Sequence, residues 1–399
     1  MDELDLLATA RPATPPSAET TAAARDRLYD LMNATKPAPA APRRRFRLLG
    51  WGLAVPAMAA AVALLMVLTS VWVRPGEPDR GTVDIADAGP RPPQELRNLL
   101  LAAAQHTATD PATTGRYWVS EIESGTLIQV GPAGNRYAIM GRTNETTWYT
   151  VRRDDRAVHL QQWAGAAPAS DADRAAWQRA GKPSTWLIDE ACPTSGNYTA
   201  GPGATRTIVG EPEPSTFLIG GGYISAEQVG DLPSEPARLQ EWLIDRLRVG
   251  SPGLTAAELS KGVFDSIINL LYQAPSTPEV RAAAYRVLAD LPGLRDLGTV
   301  TDPKGRSGNA VTLVTNDDTP GVRQADTGGA QEVRLIFDPK SGQPLAWETR
   351  VLNPVDYLSW VPAGALFDYK AVVRTRWTDD PAPDTTGALP ETVQEPATC

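Results

Sequence analysis

The chain has 399 residues, 38 basic against 47 acidic, a net charge of −9 at pH 7 and only two cysteines. The acidic balance argues against nucleic acid as a partner. Two cysteines exclude a disulfide-built scaffold and a thiolate metal finger, and the length is ample for one large domain or two small ones.

Taken in chain order, residues 2–8 (DELDLLA) suit a short helical turn, which Pro12 to Pro16 ends. Ser17 to Asn33 reads as an amphipathic helix with Ala24, Leu28, Leu31 and Met32 on one face. One helix this small has no core of its own, so Leu28, Leu31 and Met32 are expected to contact the bilayer or a cytosolic regulatory protein. A Pro/Ala linker, 36–42, follows.

From Leu48 to Val73 no residue is charged. As an α-helix that run would rise about 39 Å, more than the roughly 20 residues a bilayer core needs. Trp51 and Trp72 lie near its ends, where indoles favour the interface. Arg43, Arg44, Arg45 and Arg47 precede it, and positive residues stay inside, so the expected topology is a single-pass cell-membrane protein with a cytosolic N-terminus. A cleaved secretory signal would share the basic start, but its apolar core is about half as long. Residues 1–47 carry a net charge of +2 and residues 74–399 a net charge of −11.

The expected organisation is a cytosolic tail (1–47), a transmembrane helix (48–73), an exposed Pro/Gly/acid linker (74–93), an extracytoplasmic domain (94–378) and a disordered tail (379–399). In the outer domain, Gln94–Thr107 reads as a helix with Leu96, Leu99, Leu100 and Ala103 in its stripe. Two-residue alternation predicts strands over 117–130, 136–153 and 158–163, with two more runs in 207–225. Three helices follow: one capped by Ser234 and closed at Gly250, one opened by a Thr255/Glu258 capping box, one opened by Thr277 and Pro278. Strands return at 297–301, 310–315, 332–337, 345–352 and 366–377, joined by turns such as Asp302-Pro303-Lys304-Gly305 and Asp338-Pro339-Lys340-Ser341-Gly342. Short connections require antiparallel pairing, so the fold class is α+β: a curved antiparallel sheet, half-barrel-like in outline, with a helical insert.

Residues for catalysis are scarce. The two histidines, His106 at a helix end and His159 in a strand, belong to no metal-binding pattern, and no Gly-x-Ser-x-Gly elbow occurs. Gly220-Gly221-Gly222 lacks the Lys-Ser/Thr of a phosphate loop and reads as a tight strand turn. Asp154-Asp155 and Asp317-Asp318 fall in turns and are expected to be solvated. A Cys192–Cys399 bridge is open, as is a free structural Cys192. Nine tryptophans lie beyond the span, either as core residues or as the lining of a groove for a lipid or peptide. No catalytic residue, cofactor or metal site is expected.

Several blocks carry a resemblance: DELDLLATARPATPP, the Arg run and span, GRYWVSEIE, PEVRAAAYRVLADLPGLRDLGTVTDPKGRSGNAV, VRLIFDPKSGQPLAWETRVL and VPAGALFDYKAVV. Together they resemble a family of uncharacterised actinobacterial single-pass membrane proteins often encoded beside extracytoplasmic-function sigma factors. The resemblance implies a regulatory role and carries over no catalytic residue. The element order is also similar to periplasmic half-barrel proteins that bind lipoproteins or sense envelope stress. Residues 1–47 contain no His or Cys, so the zinc motif of many anti-sigma domains is absent. The expected function is a membrane-anchored, non-enzymatic sensor or regulator linked to sigma-factor signalling, with an envelope ligand and a cytosolic partner. The alternative is an anchored binding or carrier module for a lipid or peptide.

Overall fold

The computed structural model describes residues 84–188, 197–314, 329–385 and 389–390. The topology residues Arg43, Arg44, Arg45, Arg47, Trp51 and Trp72 lie outside the described residues, as do the tail contacts Leu28, Leu31 and Met32, the pair Asp317-Asp318, and both cysteines. Among the described residues no helix is long and apolar enough to cross a membrane; the span expected at 48–73 is outside them.

The fold is α+β. Ten strands form one sheet in the order β14-β6-β3-β2-β1-β13-β12-β11-β10-β9, antiparallel except for the β14–β6 pair. Its centre is made of long alternating strands: β1 (Tyr117–Val130), β2 (Tyr137–Thr150), β3 (Arg156–Pro168), β12 (Pro344–Pro354) and β13 (Leu366–Thr378). β6 (Thr205–Pro212), β9 (Leu294–Thr301), β10 (Ser307–Val314) and β11 (Gly329–Phe337) complete it, with the short β14 (Leu389–Pro390) at one edge. Two small hairpins stand apart: β4 (Thr185–Leu187) with β5 (Asn197–Thr199), and β7 (Thr216–Ile219) with β8 (Gly222–Ser225). Gly220 and Gly221 make the second hairpin's two-residue turn at φ +65° and +72°, the left-handed pair such a turn demands.

Helices cover one face. α1 (Gln94–Ala108) packs on α6 (Pro278–Asp290), beside α4 (Pro236–Gly250) and α5 (Ala256–Tyr272). Each buries an apolar stripe; in α5 it runs through Leu259, Val263, Phe264, Ile267, Leu270 and Leu271. Against it the sheet presents Trp118, Ile122, Val311, Leu313, Leu335, Phe337 and Val372. The same face has a second apolar cluster at the far ends of β1–β3, where α2 (Asp171–Arg179) and the β4–β5 hairpin bring Ala176, Trp186 and Tyr198 onto Val130, Tyr137 and Ile139. A five-residue helix, α3 (Ala226–Gly230), joins β8 to the segment before α4.

The opposite face is buried as well, with Ala310, Ile336, Ala346, Tyr369 and Ala371 in one cluster, and it holds the β9–β10 turn in place. Lys304 Nζ donates to Glu123 Oε2 at 2.7 Å. β10 stands four strands from β1, about 19 Å on a flat sheet. A lysine side chain does not bridge that, so the sheet coils strongly over this face.

A bulge shapes β13. Glu121 pairs with Arg374 but Ile122 pairs with Val372, leaving Val373 without a partner in β1. Before the bulge Trp377 and Thr375 face the helices; after it Val372, Lys370 and Asp368 do.

Several sequence expectations need correction. Glu235, not Ser234, caps α4: its carboxylate accepts the Ala237 and Arg238 N–H groups at 3.2 and 2.8 Å. The Thr255/Glu258 capping box and the Thr277 cap form as expected. Asp155 is buried rather than solvated, because the Arg116 guanidinium grips both its oxygens at 2.6 and 3.0 Å. The end of the expected linker is not an exposed tether: Ile85 sits in the helical core, and Gly293 N–H donates to the Pro90 carbonyl at 2.9 Å. Nor does all of 379–399 lack order, since Asp379 accepts the Arg116 N–H and Leu389–Pro390 pairs with β6. The tryptophans divide: Trp118 and Trp186 are buried, and Trp148, Trp163, Trp177, Trp242, Trp347, Trp360 and Trp377 are half-buried.

Candidate functional site: a polar trough between two covered zones

On the helix-facing side, strand register sets one row of side chains across five strands. Trp347 pairs with Lys370, Lys370 with Ser124, Ser124 with Thr143, and Thr143 with Trp163. Directly paired residues share a face, so the five stand side by side across about 19 Å. All five are half-buried. To one side α5 and its neighbours close the apolar core; to the other, α2 and the β4–β5 hairpin close the second cluster. The row is the floor of a trough between these zones, with an indole at each end.

The walls fix both indoles. Trp163 Nε1 donates to the Thr199 carbonyl at 2.8 Å and its ring packs on Tyr198 at 5.4 Å. Trp347 packs edge-on against Tyr272, the last residue of α5, at 6.5 Å. Its Nε1 is buried without a hydrogen-bond partner among the described residues.

Ionisable groups gather around Lys370. Glu145 is 8% exposed and accepts the Ser124 hydroxyl at 2.6 Å. Tyr149 receives the Gln273 side-chain amide on its hydroxyl at 2.6 Å, and burial pushes its pKa up to about 12. His159 is 7% exposed; its Nδ1 lies 2.8 Å from Thr147 Oγ1, and its Nε2 is buried with no partner among the described residues. Burial lowers the His159 pKa, with Glu145 opposing and Lys370 assisting.

Lys370 itself has no ion-pair or hydrogen-bond partner among the described residues. Burial works against its charge, but Tyr272, Glu145, Tyr149 and Asp368 around it hold its pKa above the ordinary value. Asp368, two residues along β13 and opposite Thr349, is pushed up to about 7 by burial, with the Thr349 hydroxyl and Lys370 pulling the other way.

That shift has a testable sign. The carboxyl ionises near 3.8 in the unfolded chain and near 7 in the folded one. Its stabilising effect is complete below about pH 4 and lost as pH rises through about 7. Asp368→Asn removes the dependence. We expect the variant to match the parent at pH 4 and to exceed it by roughly 2 kcal/mol at pH 8, after discounting for partial exposure. Melting curves at the two pH values check this; an equal difference at both would exclude Asp368 as the titrating group.

The sequence sets His159 apart and counts Trp163 and Trp347 among the nine outer tryptophans, but nothing in it brings them together or singles out Glu145, Asp368 and Lys370. The available signal was two charged residues at i and i+2 in LFDYKAVV, an otherwise apolar strand. His106 lies apart, at the end of α1. Among the described residues no cluster of His, Cys, Asp and Glu is placed to hold a metal ion. A separate cleft at the far end of β1 and β2 is lined by Val130, Arg136, Tyr137, Pro183 and Trp186; it does not reach the trough.

Compared with known proteins, the chain matches no family model, no curated protein and no solved structure.

Proposed function

We propose that the protein is a membrane-anchored, non-enzymatic sensor or regulator whose outer domain binds an envelope ligand in the trough. The observation that carries this reading is the half-buried row from Trp347 to Trp163. A sheet face that only supports a core places apolar side chains there and covers them; this one places a lysine and two hydroxyls and leaves them reachable. Indoles at both ends add apolar walls, which suits an elongated amphiphile such as a lipid or peptide. The coiled sheet with helices on one face supports the half-barrel-like outline expected from the sequence. On this reading the N-terminus is cytosolic, the span at 48–73 is the anchor, and the tail helix meets a regulatory protein through Leu28, Leu31 and Met32. A sigma-factor link rests on the sequence resemblance alone.

Native mass spectrometry of the intact protein, released gently from its own membranes, tests the binding claim. A bound small molecule is expected in the parent and not in the Trp163→Ala/Trp347→Ala double variant. Identical spectra for the two would sink the trough as the binding site.

The second reading, a carrier module with a passive tail, shares the trough and differs in the tail. Changing Leu28, Leu31 and Met32 to Lys should abolish co-purification of a cytosolic partner if the tail signals. Unchanged co-purification favours the carrier.

A further inference from the structure

We propose that the trough recognises a monocarboxylate carried on an apolar body, with Lys370 as the group that receives the carboxylate. The inference rests on the binding reading above and adds the charge and size of the ligand's polar end.

The argument turns on which polar groups are already committed. Glu145 accepts the Ser124 hydroxyl, and Thr147 holds one nitrogen of His159. Asp368 stands opposite Thr349 and takes up a proton near neutrality, after which it too presents an O–H. Two donors on this face have no partner among the described residues, the Lys370 ammonium and the Trp347 Nε1–H, and beside them lie the buried Ser120 hydroxyl and the far nitrogen of His159, itself more than nine-tenths buried. Surplus donors call for an acceptor, and an ionised acceptor gains most from a half-desolvated ammonium.

The anion is small and singly charged. Lys370 is the one cationic side chain whose charge acts on Glu145's neighbour His159 and on Asp368. No arginine stands in the row from Trp347 to Trp163, and α5 points its C-terminal end, not its N-terminal end, toward the trough through Tyr272 and Gln273. A phosphate needs several cations or a cradle of backbone N–H groups. Other ionisable groups facing Lys370 are Glu145 and Tyr149 from β2, Tyr272 from α5 and Asp368 from its own strand. A second negative charge would meet Glu145 unscreened.

The test is calorimetry on the full chain in lipid nanodiscs at pH 6, with empty nanodiscs as the blank. The probes are hexanoate, hexanol, hexylammonium and hexyl phosphate. Hexanoate is expected to bind tightest of the four. Lys370→Met and Lys370→Gln should each weaken it by about tenfold or more, and Lys370→Arg by much less. The probe series on the unaltered protein stands even where a variant folds poorly. Equal binding of hexanol and hexanoate, or hexyl phosphate binding tightest, overturns the carboxylate while leaving an apolar binding trough intact. No binding by any probe counts against both.

Discussion

Asp302→Ala is expected to cost about 4 kcal/mol of stability, because one buried carboxylate closes a turn and anchors a cation. The Asp302 side chain is fully buried. Its Oδ1 accepts the Lys304 and Arg306 N–H groups at 2.9 and 2.8 Å, shaping the β9–β10 turn. Its Oδ2 takes the Arg306 guanidinium, whose other N–H groups reach the Val372 and Leu345 carbonyls at 2.7 and 2.8 Å. Removing the carboxylate leaves Arg306 half-desolvated without its counter-charge, and it frees the turn that carries Lys304 to Glu123. The double variant Asp302→Ala/Arg306→Ala should cost less than the two single changes added together, since the charge left stranded by each is gone. Chemical denaturation of all three variants measures the coupling. Additive losses would mean that the two residues act independently and that the turn is held by backbone geometry.

Gly342→Ala should cost about 3 kcal/mol, through strain rather than charge. Gly342 closes the β11–β12 turn at φ +70°, which an alanine tolerates poorly. A Cβ there would stand 2.2 Å from Thr107 Oγ1 and 2.6 Å from the Ala103 carbonyl oxygen. The Gly342 carbonyl also accepts the buried Tyr285 hydroxyl at 2.8 Å, which ties α6 to the same turn. Thr107→Ala should not rescue the variant, because the Ala103 carbonyl remains in the way. Full rescue in thermal melts would show that α1 yields and the left-handed strain is minor.

Much of the frame was legible because the signals were local. β1 runs over Tyr117–Val130 as its alternation predicts, and the Thr255/Glu258 box opens α5 where a reciprocal cap should. Ser234 and Glu235 are adjacent and both can cap, and sequence alone could not choose between them. α2 escaped notice because it buries only Ala176 and so has no stripe; its one sign was the Ser170 hydroxyl set to accept the Asp173 N–H. Asp155 looked solvated because its partner, Arg116, is 39 residues away. The trough was hidden for a related reason. Its row joins residues from five strands, and no window of sequence contains two neighbours of that row.

Val373 carries the last consequence. A strand assigns side chains to faces by odd and even count, and one supernumerary residue reverses the count for everything beyond it. Were Val373 drawn into the ladder opposite Ile122, Ala371 and Tyr369 would turn toward the helices. Lys370 and Asp368 would turn to the opposite, buried face, where Glu123 now receives the Tyr369 hydroxyl. The bulge therefore works as a parity switch: Val373 kept out of the ladder holds two ionisable groups that it never touches on the helix-facing side, and deleting it would leave them there.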